Sequence, residues 1–393
     1  MLRQFVLLAG LWPSALAAQT DVVGLIESEG LRAAQAELAA LPDPSPDERF
    51  ALGAVQFLGG VELALQTRWR HGTPEALGIV LGMPVMRLPL PENPTPAPFT
   101  GSVLTKMFER IEADMTAAAA TLDGIGDADA VGLAVPLNAL WFDINANGSR
   151  DVGEGMAEFW NPTLAFDPLA PLPEVTVRFD TADAAWLSAY AHLLATVSET
   201  MLAIDMAPAI DEVLTGAMAM SRYPGQSQFD SYSGIIDGVA VVLRALDGVP
   251  DAMRLESARS HALAMIADNR IFWERVGAET DNEMEWIPNP RQTSALRLPF
   301  PEETGPRWLA VLRDAEALLE GELLLPYWRV SPAVGLDLRA MIADPPDLDL
   351  VGLIHGFSLV PYMKDGRRID GETLRQFEAM LAGDALLYMV ILN

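Results

Sequence analysis

Asp143, Asn145, Asn147, Asp151 and Glu154 set side-chain oxygens at the first, third, fifth, ninth and twelfth positions of the segment Asp-Ile-Asn-Ala-Asn-Gly-Ser-Arg-Asp-Val-Gly-Glu. The chemistry open to such a set is coordination of a hard divalent cation, which takes about six to eight oxygens at about 2.3–2.6 Å. Alternation of Asp143, Asn145 and Asn147 lets successive side chains turn inward around one centre. Gly148 stands where the chain must turn sharply, a conformation that a Cβ resists. The plainer alternative is a polar Asn-Gly turn joining two helices.

The segment resembles the EF-hand calcium loop, and also the single Asp-x-Asn-x-Asn-Gly-x-x-Asp-x-Gly-Glu calcium loops of secreted bacterial proteins. The resemblance is confined to residues 143–154. It implies one Ca²⁺ held by the side chains of Asp143, Asn145 and Asn147 and the backbone carbonyl of Ser149. Asp151 would bind directly or through a water, and Glu154 through both carboxylate oxygens. Bidentate closure favours calcium over the smaller, octahedral magnesium. Two departures matter. Arg150 occupies the eighth position, where paired loops carry an apolar residue, and Pro136 and Pro162 shorten the flanking helices. No second loop is present. Asp365 to Asp370 begins similarly but offers too few oxygens, and reads as a turn in which Asp370 caps the next helix. One unpaired loop with three carboxylates and two neutral amides predicts a structural or weak site, towards the range of about 10⁻⁴–10⁻³ M.

A second constellation is histidine-based. His192 and Glu199 stand seven residues apart on one helical stretch, and His261 and Asp268 repeat that separation on another. Two such helices could build a metal or acid–base site in a bundle core. This supports a hydrolase as an alternative function. The plainer reading is a buried, hydrogen-bonded histidine in each helix. Asp180 and Asp183 read as caps at the positive end of the helix dipole in preference to an acid–base pair. Ser221, Ser227, Ser231 and Ser233 lack a nucleophile-elbow context, and no phosphate loop, dinucleotide fingerprint or His-Glu-x-x-His occurs. Trp141, Trp160, Trp186, Trp273, Trp286, Trp308 and Trp328 read as core or interface before ligand stacking.

The surrounding chain bounds the setting. Arg3, the apolar run Phe5 to Trp12 and Ala15-Leu16-Ala17 read as a secretory signal over residues 1–17, which predicts a periplasmic or secreted bacterial protein. There is no cysteine, so an exported domain must be held by its core. The net charge of −28 argues against nucleic acid and anionic membranes as partners, since there is no basic patch to release their counterions. After the signal, no uninterrupted apolar stretch reaches the ~20 residues of a transmembrane helix.

Helical periodicity predicts a mainly α fold: an irregular multi-helix bundle with an N-terminal helical hairpin, proline-rich connectors and a few short strands at most. The hairpin comprises helices over Val22–Leu41 and Asp47–Arg70. It forms residues 18–100 together with the proline-rich stretch Met83–Pro98, while 101–393 form the main helical domain with the calcium loop. Further helices are expected over 103–122, 182–206, 209–220, 231–246, 252–276, 302–320, 334–342 and 371–381. A short apolar helix is expected before Trp141, and a short strand over 175–179. The function expected is that of an exported calcium-binding protein whose ion stabilises a loop. The alternatives are the hydrolase and a helical binding or scaffold protein of the cell envelope.

Overall fold

The computed structural model describes residues 20–72, 90–156, 174–223, 232–296 and 300–380. The expected signal, the stretch 83–89, the loop from Pro162 to Pro173, Trp160, Ser227 and Ser231 lie outside the described residues. The fold is mainly α, with two small antiparallel two-stranded sheets.

The expected helix over 22–41 is two helices, α1 (Val22–Glu29) and α2 (Leu31–Ala39). Gly30 separates them at φ +85°. Its backbone N–H returns to the Ile26 carbonyl, and its missing Cβ leaves room for the Trp141 ring, which that atom would meet at 3.0 Å. A glycine inside a helical pattern here ends the helix. Helix α3 (Pro46–His71) starts with a complete capping box: Ser45 Oγ accepts from the Glu48 N–H and Glu48 from the Ser45 N–H. Proline stands in its first turn, and Gly72 closes it in the left-handed region.

Beyond a stretch that returns to the end of α3, where the Ala97 N–H meets the Arg70 carbonyl at 2.8 Å, α4 (Gly101–Leu122) follows. The expected short apolar helix before Trp141 is instead a strand, β1 (Gly132–Pro136), and one 3₁₀ turn. Proline and β-branched valine disfavour a helix there. β1 pairs antiparallel with β2 (Thr176–Asp180), Gly132 facing Asp180 and Pro136 facing Thr176. Asp180 then caps α5 (Thr181–Ile204), accepting from the Ala182 and Asp183 N–H groups while Asp183 reaches back to the Asp180 N–H. The capping reading of Asp180 and Asp183 therefore holds.

Helices α6 (Ala207–Met220), α7 (Ser233–Ala245), α8 (Ala252–Ala278) and α9 (Thr304–Leu319) complete the body. The expected helix over 334–342 divides into β3 (Val334–Leu336) and α10 (Leu338–Ala343) because Asp337 caps the second half through the Ala340 N–H. A short α11 (Leu350–His355), unforeseen, precedes β4 (Met363–Asp365) and α12 (Glu372–Met380). Asp370 does accept from the Glu372 N–H, at 2.9 Å.

The helices pack in succession, α3 on α4, α4 on α5 and α5 on α8, with α9 against α8 and α12 against α9. The main core runs through this series, from Phe50 and Met115 to Trp186, Phe272, Trp308 and Phe377. By length and composition α3 and α5 are apolar enough to cross a membrane, yet both contribute buried side chains to the core. A second core joins α1, α2 and α3 to Phe142, just before the expected calcium loop, and to Ile144 within it. Trp141, Trp186 and Trp308 are buried, as the core reading of tryptophan requires; Trp328 is exposed. Ile235, Ile236, Val239 and Leu243 on α7, and Val351 and Ile354 on α11, also face outward.

Candidate functional sites

The loop 143–154 forms one hydrogen-bonded ring. Asp143 accepts at Oδ1 from the Asn147 N–H (2.9 Å) and at Oδ2 from the Gly148 N–H (2.9 Å). Asn145 Oδ1 accepts from the Asn147 N–H (3.0 Å), and Asn147 Oδ1 from the Ser149 N–H (2.8 Å). Both asparagine amides donate to Asp151 Oδ2, at 2.8 and 2.7 Å. Glu154, 1 % exposed, spans the ring: Oε1 accepts from the Ile144 N–H (2.9 Å) and Oε2 from the Asp151 N–H (2.8 Å). Gly148 takes φ +75° with open space where a Cβ would stand, so the turn needs glycine for its backbone angle and not for room.

The ring is tied shut at its base, where the Phe142 N–H donates to the Glu154 carbonyl and the Met156 N–H to the Leu140 carbonyl. No helix enters directly; the approach is β1 and the 3₁₀ turn. Arg150 points out of the ring, donating to the Asn138 carbonyl at 3.0 Å, and Val152 is exposed. Among the described residues, Asp143, Asp151 and Glu154 form no ion pair with lysine or arginine.

Two residues of α3 that the sequence reading missed position this loop. Glu62 Oε2 accepts from the Asp143 N–H (2.9 Å), and Gln66 Nε2 donates to the Asp143 carbonyl (2.7 Å). Both are buried. Burial pushes the Glu62 carboxyl up to about 7; the Asp143 N–H and the charge of Arg32 oppose this, and the charges of Asp143 and Glu154 add to it. The available signal was their spacing: two polar side chains one turn apart on a helix otherwise apolar on that face.

The histidine constellation is brought together in part. His192 of α5 and His261 of α8 face each other with 2.8 Å between their Nδ1 atoms. His192 Nε2 lies 4.0 Å from Asp268 Oδ2. Glu199 is drawn elsewhere, into a two-oxygen contact with Arg254 at 3.1 and 3.2 Å. Burial lowers the pKa of both imidazoles; His261 adds to the effect at His192 while Asp123 opposes it, and Glu112 and Glu199 oppose it at His261. Burial raises Asp268 to about 6, and the nearby Ser188 hydroxyl donates to Asp123 Oδ1 at 3.0 Å. The arrangement can share one proton between two neutral rings or present two ring nitrogens to a common centre.

A third group, unforeseen, is acidic. Carboxylate oxygens of Asp180, Glu279 and Glu285 lie within 4.8 Å of one another. Each already has a structural role: Asp180 caps α5, Glu285 accepts from the Glu283 N–H, and Glu279 accepts from Gln292. Burial raises the pKa of all three, so protons relieve their mutual repulsion.

No protein-family model, curated protein or solved structure matches this chain.

Proposed function

We propose that the chain is an exported calcium-binding protein in which one Ca²⁺ at Asp143, Asn145, Asn147, Ser149, Asp151 and Glu154 fastens the loop against the N-terminal helices. The observation that carries this reading is the drawing of three carboxylates and two amides into one ring without a cationic side chain. Twelve residues supply the oxygen-rich donor set that suits calcium. The ion would relieve the repulsion among the carboxylates and hold the loop onto α3 through Glu62 and Gln66.

Binding has a cost that sets its strength. The Asn145 and Asn147 amides present nitrogen to Asp151, so each must make a half-turn about its last bond to offer oxygen to a shared ion. The backbone N–H bonds that their oxygens hold must then be remade. This reorganisation, with only three ionised ligands, supports weak affinity, suited to compartments rich in calcium.

The test is thermal unfolding of the chain with calcium and with chelator. At a calcium concentration a hundredfold above Kd, the ion should stabilise by about 2.7 kcal/mol and raise Tm. Asp151→Asn keeps a hydrogen-bond acceptor and removes one ligand charge; it should weaken binding about tenfold or more, or about 1.4 kcal/mol. A melting temperature indifferent to chelator would sink the reading.

A further inference from the structure

We propose a second cation site, at His192 and His261, that takes a divalent transition metal of the Zn²⁺ class through both Nδ1 atoms, with Asp268 as the positioning residue for His192. It does not depend on the calcium reading, because it lies on other elements and uses another donor type. Imidazole nitrogen suits zinc, copper, nickel and cobalt, whereas calcium takes oxygen.

The geometry is close to what two such ligands need. Their Nδ1 atoms face each other at 2.8 Å. Two nitrogens at about 2.0–2.1 Å from one tetrahedral ion stand about 3.3 Å apart, so a ring displacement of about half an ångström admits the metal. The rings arise from α5 and α8, which pack along each other, so the ligands sit on the rigid part of the bundle.

Asp268 supplies the second half of the argument. A metal-bound histidine usually donates its remaining N–H to a carboxylate, which fixes its tautomer and ring orientation. His192 Nε2 lies 4.0 Å from Asp268 Oδ2, and that oxygen is buried without a hydrogen-bond partner. A buried acceptor left unmade is costly. Metal at Nδ1 places the proton on Nε2, and a closing of the 4.0 Å gap by about an ångström would let that N–H reach this oxygen. Glu199 does not join the shell, because Arg254 holds both its oxygens. Water would complete the shell.

The experiment is calorimetric titration of the full chain with Zn²⁺ in saturating Ca²⁺, together with the visible absorption spectrum on adding Co²⁺. One Zn²⁺ per chain is expected, with a cobalt ligand-field band that saturates at one equivalent. His192→Ala and His261→Ala should each abolish binding. Asp268→Asn should weaken it about 10–100-fold at unchanged stoichiometry, and Asp151→Asn should leave it as it was. Zinc binding that survives in the double alanine variant overturns the site. If an alanine variant does not fold, the unaltered chain decides alone: absence of the cobalt band at one equivalent leaves the two rings as a hydrogen-bonded pair and overturns the proposal.

Discussion

Asp183 and Glu279 are pushed towards the protonated form for the same reason, burial among other acids. Asp183 is almost fully enclosed and its carboxyl is pushed well above the ordinary range, first by burial and then by Asp180. Glu279 is raised from 4.5 to about 7 by burial, with Gln292 opposing and Asp180, Glu285 and Asp281 adding to the rise. A carboxyl whose folded pKa lies above its unfolded value contributes stability that is fully present below the unfolded pKa and is lost as pH rises through the folded one. Tm should therefore fall between about pH 4.5 and pH 7, and Glu279→Gln should flatten that slope. Asp180, Asp183 and Glu285 act in the same direction, so the slope should shrink without vanishing. Parallel pH profiles for the two proteins would show that Glu279 has no such role.

At the scale of elements, glycine marks where helices approach and where they do not. Gly101 opens α4, and a Cβ there would lie 2.2 Å from the backbone carbonyl oxygen of Ala207 in α6. Backbone cannot rotate away as a side chain can, so Gly101→Ala should cost about 1–3 kcal/mol as the two helix starts are forced apart. Gly216, inside α6, has nothing within 4 Å of a built Cβ. There Gly216→Ala should stabilise by about 0.5–1 kcal/mol through helix propensity. Chemical denaturation of both variants reads the contrast; equal effects would contradict the packing. Periodicity made most helices legible, α3 among them, and Asp180 with Asp183 marked the start of α5; the Ser45–Glu48 box of α3 emerged only with the structure. Two of the misread elements share a cause. Val22–Leu41 and Val334–Ile342 carry helical spacing across Gly30 and Asp337, residues that act locally to end or restart a helix.

Across the whole molecule, the loop 143–154 belongs mechanically to the N-terminal helices. Phe142 and Ile144 enter the core of α1, α2 and α3, and Trp141 Nε1 donates to the Ile26 carbonyl at 2.8 Å. Packing of α3 on α4 crosses the division expected near residue 100, and α3 gives side chains to both cores, Phe50 and Phe57 to one and Val55 and Leu65 to the other. Ion binding should therefore protect one part of the protein and not all of it. On adding calcium, amide hydrogen exchange should slow over 143–156 and in α1, α2 and the facing turns of α3, while α5 and α8 keep their rates. Equal protection of both cores, or none, would separate the loop from this coupling.

Read alone, the residue order determined the helical class, the capping of α5 by Asp180 and a dozen-residue segment rich in oxygen donors, because all three depend on neighbours within a few turns of chain. Only the tertiary structure decided that Glu62 and Gln66 hold Asp143, that His192 meets His261, and that Glu199 turns to Arg254. Those contacts join residues between 55 and 81 positions apart. Local periodicity says which face of a helix is apolar, but which side chain on that face meets which partner is chosen when helices pack.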